Sequence, residues 1–600
     1  MNRFSFKNFA LIALAILSLF TIPLRAAAFE VILETDQSAE AFAKPLSAAS
    51  LVLAAKRDGV TSPQEILAAA RADYGRLVGA LNELGYFGPV VSIHIDGQEA
   101  ARIPPLAVLS GVSRVEINVS AGPAFHFGQT EIAPLMAPTE IPPAFQTGAA
   151  AETAVIREVA LAGLTGWRSK GYAQARIDQQ NITANHQNAQ LDVQLRIAPG
   201  PLVQFGPLKI AGANNVREAR IREIAAVNAG EVFSPEVLAR AAARLRRTGA
   251  FRSVSLQEPD TLGAGDSMEI ELTVVEAKPR RFGFGAELQS SEGLALSGFW
   301  MHRNFLGGAE RFRLEGDISG LGGETDGIDY HLRASCTRPS TFHSDMDLYI
   351  RADLEQLNDP TYFARQASAE VGLSRYFSDT LSAEAGVMYR YSDVSDDLGS
   401  RQFSILALPL GLTWDRRDDA LNPTSGTYVH AEIMPFLGLD ASASGGRGYL
   451  DARIYRGLGA ENGIILAGRL QFGTVLGSTV ASTAPDLLFF SGGSGTVRGH
   501  SYQSLSFDSG GIETGGRSFI GFAGEARVKV SEAISAVAVY DAGYIGGNSW
   551  IDDTGSWHSG AGLGLRYQTG IGPIRLDIAT PITGDSTRAI QYYIGIGQAF

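Results

Sequence analysis

The 600-residue chain sets 50 Lys and Arg against 63 Asp and Glu, a net charge of −13 with pI near 5.3. This argues against a nucleic-acid partner, since neutralising phosphates needs a basic face. Apolar residues reach 45%, charged residues only 19%, glycine occupies 68 positions and mean hydropathy is +0.03, which fits neither a disordered chain nor a bundle of membrane helices. The single cysteine, Cys336, excludes an internal disulfide framework and a cysteine-built metal site.

The chain opens with Arg3 and Lys7, an apolar run over residues 9–20 and three alanines at 26–28. This pattern predicts a cleaved export signal over residues 1–28 and a mature start near Phe29. No later stretch of 18 uncharged apolar residues follows. An exported chain of that kind can cross a bilayer only as a closed β-barrel, because every backbone polar group in lipid needs an internal partner.

Residues 29–277 read as a repeat array. Gly122-Pro123 with Phe127-Gly128 recurs as Gly200-Pro201 with Phe205-Gly206, displaced by 78 residues, so units are expected over 29–121, 122–199 and 200–277. Each unit is expected to hold two helical stretches, a glycine-aromatic break and two strands. The breaks are Gly85-Tyr86-Phe87, Gly171-Tyr172 and Gly249-Ala250-Phe251. Ser62-Pro63-Gln64-Glu65 is a capping box with proline at the first helical position, and Ser234-Pro235-Glu236 repeats its start. Residues 270–275 are expected to form a free strand edge open to an added strand.

Over residues 278–600 the pattern changes to period two. Asp345, Asp347, Arg351, Asp353 and Glu355 alternate with Met346, Leu348, Ile350, Ala352 and Leu354, as when one strand face meets a wet lumen and the other meets lipid. Arg311, Arg313, Glu315 and Asp317 oppose Phe312, Leu314 and Ile318. Glu525, Arg527 and Lys529 oppose Ala526, Val528 and Val530, and Arg575 and Asp577 oppose Ile574, Leu576 and Ile578. Sixteen strands are predicted: 281–287, 293–301, 311–318, 329–336, 345–355, 365–377, 381–392, 403–415, 426–434, 449–458, 463–475, 519–530, 534–544, 557–568, 573–578 and 590–600. An even number suits a single-chain outer-membrane barrel.

Between two of these strands lies a Gly/Ser-rich loop with Val497, Arg498, Gly499 and His500 at its tip. Glycine lets such a tip turn freely, and arginine presents a permanently charged five-donor fork. The expected acceptor is Asp541, the lone carboxylate of 534–544, assisted by Glu525, since a carboxylate facing away from bulk water needs a partner. The closing segment ends in Tyr593, Gly595, Gly597 and Phe600. Glycine inside a strand weakens it, so this last edge is expected to pair poorly with the first and to form a seam.

The tip resembles the Val-Arg-Gly-Tyr loop of the Omp85 outer-membrane assembly family, with His500 in place of the tyrosine. The β-α-α-β-β units resemble the POTRA modules of that family. Asn304-Phe305-Leu306-Gly307-Gly308, residues 414–418 and Tyr540-Asp541-Ala542-Gly543 resemble its barrel motifs, and Tyr593, Gly595 and Phe600 resemble its terminal β-signal. Three units before a sixteen-stranded barrel are similar to the TamA-type branch. The implied fold is α+β periplasmic POTRA repeats followed by an all-β 16-stranded transmembrane β-barrel. The resemblance implies a TamB-like inner-membrane protein, unfolded outer-membrane protein clients of autotransporter type and the lipid bilayer as partners. No H-E-x-x-H, G-x-S-x-G or Walker-type loop occurs, so neither an enzyme nor a cofactor or metal is expected. Client insertion through the seam, a polypeptide secretion pore and a part in phospholipid transport remain open.

Overall fold

The computed structural model describes residues 29–36, 39–290, 292–323, 327–440, 442–459, 462–570, 572–584, 590–596 and 598. The expected export signal, residues 1–28, lies outside them, as do Gly597 and Phe600. The described residues divide into two compact units, one reaching to residue 204 and including 231–235, the other holding 205–230 and the residues from 236 onward.

The first unit contains two α/β modules. In the first module, strand Glu30–Thr35 runs parallel to Arg114–Ser120, which pairs antiparallel with Val90–Ile95. Helix Pro63–Glu83 buries Ile66, Leu67, Ala70, Leu77 and Leu81, a stripe of helical period, in one core with Ile93, Val115 and Ile117. Its start is capped by Ser62, whose hydroxyl accepts from the Glu65 amide at 3.4 Å. A second cap is supplied across helices. The buried Asp73 accepts from the Leu51 and Val52 amides at 2.7 and 3.1 Å, satisfying orphan donors of helix Leu51–Arg57.

In the second module, His126–Ala133 and Arg176–Asn185 flank Gln190–Ala198. The expectation of two helical stretches per unit fails here. Helix Thr153–Arg168 is the single one among the described residues, and residues 134–150 run irregularly through Pro134, Pro138, Pro142 and Pro143. Proline lacks the amide donor and clashes with the preceding turn.

The second unit begins with a third α/β module. Helices Glu218–Ala225 and Pro235–Arg247 accompany a sheet in the order Phe251–Gln257, Glu271–Glu276, Lys209–Ala211. The expectation of a free edge at 270–275 is thereby corrected. Glu271–Glu276 is the central strand, antiparallel to one neighbour and parallel to the other, so much of its backbone is already bonded. This module meets the turns of the barrel. Arg244 holds Asp345 in a bidentate pair at 2.7 and 2.6 Å, Arg247 lies 3.8 Å over the Tyr376 ring, and the Arg217 amide donates to the Gly307 carbonyl at 2.9 Å.

The remainder is a closed barrel. Strands Gly399–Ala407 and Leu410–Asp415 pair with the same two neighbours and form one wall position interrupted at Pro409, which cannot donate to a ladder. The wall therefore has sixteen positions. Leu354 and Ile350 point outward, 58% and 54% exposed, while the charges beside them face the lumen. There Asp451 takes bidentate bonds from both Arg453 and Arg469.

Candidate functional site: a loop lock beside a short seam

The segment 477–517, joining strands Ile464–Leu476 and Ser518–Lys529, folds back into the lumen. Ser491 and Leu505 exchange backbone hydrogen bonds at 3.0 Å, and the Gly493 amide donates to the His500 carbonyl at 3.1 Å. These bonds tie the segment into a narrow arm. Its tip is enclosed, with Val497, Arg498 and His500 at most 2% exposed.

Arg498 uses its donors in one direction. Its amide and Nε donate to Asp541 Oδ2 at 3.0 and 2.7 Å, Nη2 donates to Asp541 Oδ1 at 2.8 Å, and Nη1 donates to Glu525 Oε1 at 2.6 Å. Asp577 Oδ2 lies 3.5 Å from Nη1. The box is closed by two more guanidiniums. Arg527 Nε donates to Glu525 Oε2 at 2.8 Å, and Arg566 binds Asp577 through both terminal nitrogens. Three buried carboxylates thus face three buried guanidiniums, the condition under which buried charge is tolerable. Burial opposes the Arg498 charge. Asp541, Glu525 and Asp577 more than offset this and hold the guanidinium above its ordinary range.

Glycine makes the close approach possible. Gly499 adopts φ +98°, and a Cβ there would lie 2.6 Å from the Thr580 carbonyl carbon; a Cβ on Gly560 would lie 2.0 Å from the Arg498 carbonyl oxygen. His500 Nε2 sits 3.0 Å from the Ser559 carbonyl, with its ring 5.8 Å from that of His558. Burial pulls the His500 pKa down.

The seam lies next to the lock. The first strand, Arg280–Gln289, pairs along its full length with Gly293–His302. Among the described residues it meets the last strand, Gln591–Ile596, only at Leu288 with Ile594 and Gln289 with Tyr593. Gly595 and Ile596 pair with Arg575 and Ile574 on their other side without extending the seam. A backbone bond from the Ser290 amide to the Tyr592 carbonyl at 3.1 Å and several side chains supplement it. Ser290 Oγ accepts from the Tyr592 amide at 3.1 Å, and Arg575 Nη2 donates to Glu287 Oε1 at 2.5 Å.

The structure brings Val497, Arg498, Gly499 and His500 together with Asp541 and Glu525, and places Tyr593 at the seam, with Gly595 on the last strand just beyond its register pairs. It adds Asp577, Arg527 and Arg566 to the box. Alternation puts Arg527 and Asp577 on the lumenal face, but no spacing says that they meet Arg498. Tyr593 also has a second place, since its hydroxyl accepts from the Gly499 amide at 2.9 Å, joining the last strand to the lock.

A sixteen-position barrel preceded by small α/β modules, with its own loop folded against the lumenal wall, defines an outer-membrane β-barrel protein with periplasmic N-terminal modules. Residues 304–600 match the Omp85 superfamily domain. The fold is similar to that of BamA from Haemophilus ducreyi lacking POTRA domains 1-3, at 17% identity and TM-score 0.59, covering 79% of this chain and 100% of that one. It is also similar to CdiB from Acinetobacter baumannii, at 13% identity and TM-score 0.51, covering 80% and 90%. The chain is a member of the Omp85 superfamily.

Proposed function

We propose that this protein is a non-enzymatic outer-membrane assembly factor of TamA type, inserting or translocating autotransporter-type clients through its lateral seam. In this reading the units over 29–121, 122–199 and 200–277 receive segments in the periplasm, with a TamB-like inner-membrane protein as partner. The observation that carries it is the seam, which is joined at two register pairs among the described residues beside strands paired along their whole length. An unpaired strand edge is a template for another strand, and at membrane depth its bare amides and carbonyls are costly until a client hairpin supplies partners. The Arg498 box keeps the neighbouring wall and the loop in place while the edge opens, and Tyr593 links the two.

A cysteine pair at Ala286 and Ile596 tests this reading. The oxidised barrel should insert clients far more slowly than the reduced one. A locked barrel that inserts clients as fast as the reduced form would overturn insertion through the seam.

A further inference from the structure

On the lumenal wall away from the lock, His331 is flanked in register by Asp317 on strand Arg311–Leu321 and by Glu355 on strand Met346–Asp359. Asp317 Oδ2 lies 3.1 Å from the imidazole Nδ1. The other ring nitrogen, Nε2, faces two carboxylates, with Asp353 Oδ1 at 3.1 Å and Glu355 Oε1 at 3.3 Å. A neutral imidazole has one N–H. With that hydrogen on Nδ1 and donated to Asp317, the Nε2 lone pair points at two anionic oxygens that repel it. The arrangement is balanced only when a positive centre sits between Nε2 and the two carboxylates, as a proton or a metal ion does.

The ligand geometry admits the ion. One atom each from His331, Asp353 and Glu355 lies within 4.8 Å of the others, and Asp317 stands where metal-bound histidines usually have an orienting carboxylate. We infer that His331 Nε2, Asp353 and Glu355 form a lumenal site for a zinc-class divalent ion, with Asp317 as its positioning residue. Imidazole with carboxylates suits zinc and its neighbours better than magnesium or calcium, which prefer all-oxygen sets. Arg333 Nε also donates to Asp353 Oδ1 at 2.5 Å, but its side chain is 45% exposed and can turn into the lumen. Arg390, which is itself paired with Asp486, also acts on Asp353 and Glu355 at longer range; the three carboxylates outnumber these two guanidiniums and leave net negative charge for a cation. Because the ligands come from two adjacent strands, a bound ion would clip Asp329–Arg338 to Met346–Asp359.

The full-length protein in detergent should be titrated with zinc chloride by calorimetry and with cobalt chloride by visible absorption. The expected result is saturable zinc binding with proton release, a cobalt ligand-field band and no comparable response to magnesium. His331→Ala should abolish binding, Glu355→Gln should weaken it, and Asp317→Asn should weaken it by about 10–100-fold. Heat-dependent gel mobility verifies that each variant folds, and Glu355→Gln carries the test if His331→Ala does not. Absence of zinc binding in the wild type overturns the site, as does binding unchanged by Glu355→Gln and the folded His331→Ala.

Discussion

Around the lock, strands Ser518–Lys529, Ile534–Gly546 and Ser556–Tyr567 pair without interruption, from Ser518 with Gly546 to Lys529 with Ser535 and from Ile534 with Tyr567 to Ile545 with Ser556. Two strands further round the wall, the first and last strands pair at Leu288 and Gln289 among the described residues, with one more backbone bond from the Ser290 amide to the Tyr592 carbonyl and side-chain contacts of Ser290, Gln591, Glu287 and Arg575. A continuous ladder draws its strength from backbone groups that every residue carries. A short seam has few backbone bonds and leans on particular side chains as well. This wall can therefore be strong where the loop is anchored and still be adjustable at its closure, because the two kinds of contact respond to different changes.

The largest break in that contrast should come from Arg498→Ala. It leaves three buried carboxylates to two guanidiniums, and breaking a buried pair in this way costs roughly 3–5 kcal/mol. The denaturant midpoint and the heat-dependent gel shift of the barrel should both fall. Arg498→Lys, which keeps the charge but loses the fork, should fall in between. An unchanged midpoint in Arg498→Ala would mean that the box adds nothing to the wall.

Gly560→Ala should act next, through shape alone. Its Cβ would lie 2.0 Å from the Arg498 carbonyl oxygen, an overpacking worth about 1–3 kcal/mol. The reporter is thiol labelling of a cysteine at Val497, which is fully buried in the parent. It should stay protected in the parent and become reactive when Gly560 is alanine.

A smaller effect is expected from acid. Burial lowers the His500 pKa, so the released loop takes up a proton more readily than the docked one. The lock should keep its full strength above about pH 6.5 and lose part of it as pH falls toward the lowered value. The groups facing His500 are the Ser559 and Thr583 carbonyls and the His558 ring. His500→Tyr should flatten the part of the pH dependence of Val497 labelling that His500 supplies.

The smallest change should come from Arg575→Ala at the seam, where loss of a partly exposed ion pair to Glu287 costs under about 1 kcal/mol. It should leave the denaturant midpoint nearly unchanged while lowering the yield of a disulfide between cysteines at Leu288 and Ile594. A large loss of global stability would show that the seam is not separable from the rest of the wall.

Much of this architecture is legible in the chain because its signals are local. Alternation such as Asp353, Leu354, Glu355 follows from the pleat of a single strand, and it predicts both the barrel and which charges line its lumen. The Ser62 cap and the glycine-rich tip around Arg498 are equally local. Other features depend on which distant segments become neighbours. Proline-rich residues 134–150 displaced an expected helix, and Glu271–Glu276 became a central strand once Lys209–Ala211 paired with it. Asp577 and Arg566 joined the Arg498 box through the register of strands Ser556–Tyr567 and Ile574–Thr583, as Asp317 and Glu355 came to flank His331. Local residue order thus specifies the strands, their wet and oily faces and a charged loop between them. Which charges meet and where the closure is short depend on the folded register, because side-chain alternation repeats every two residues and holds no record of the register that closes a barrel.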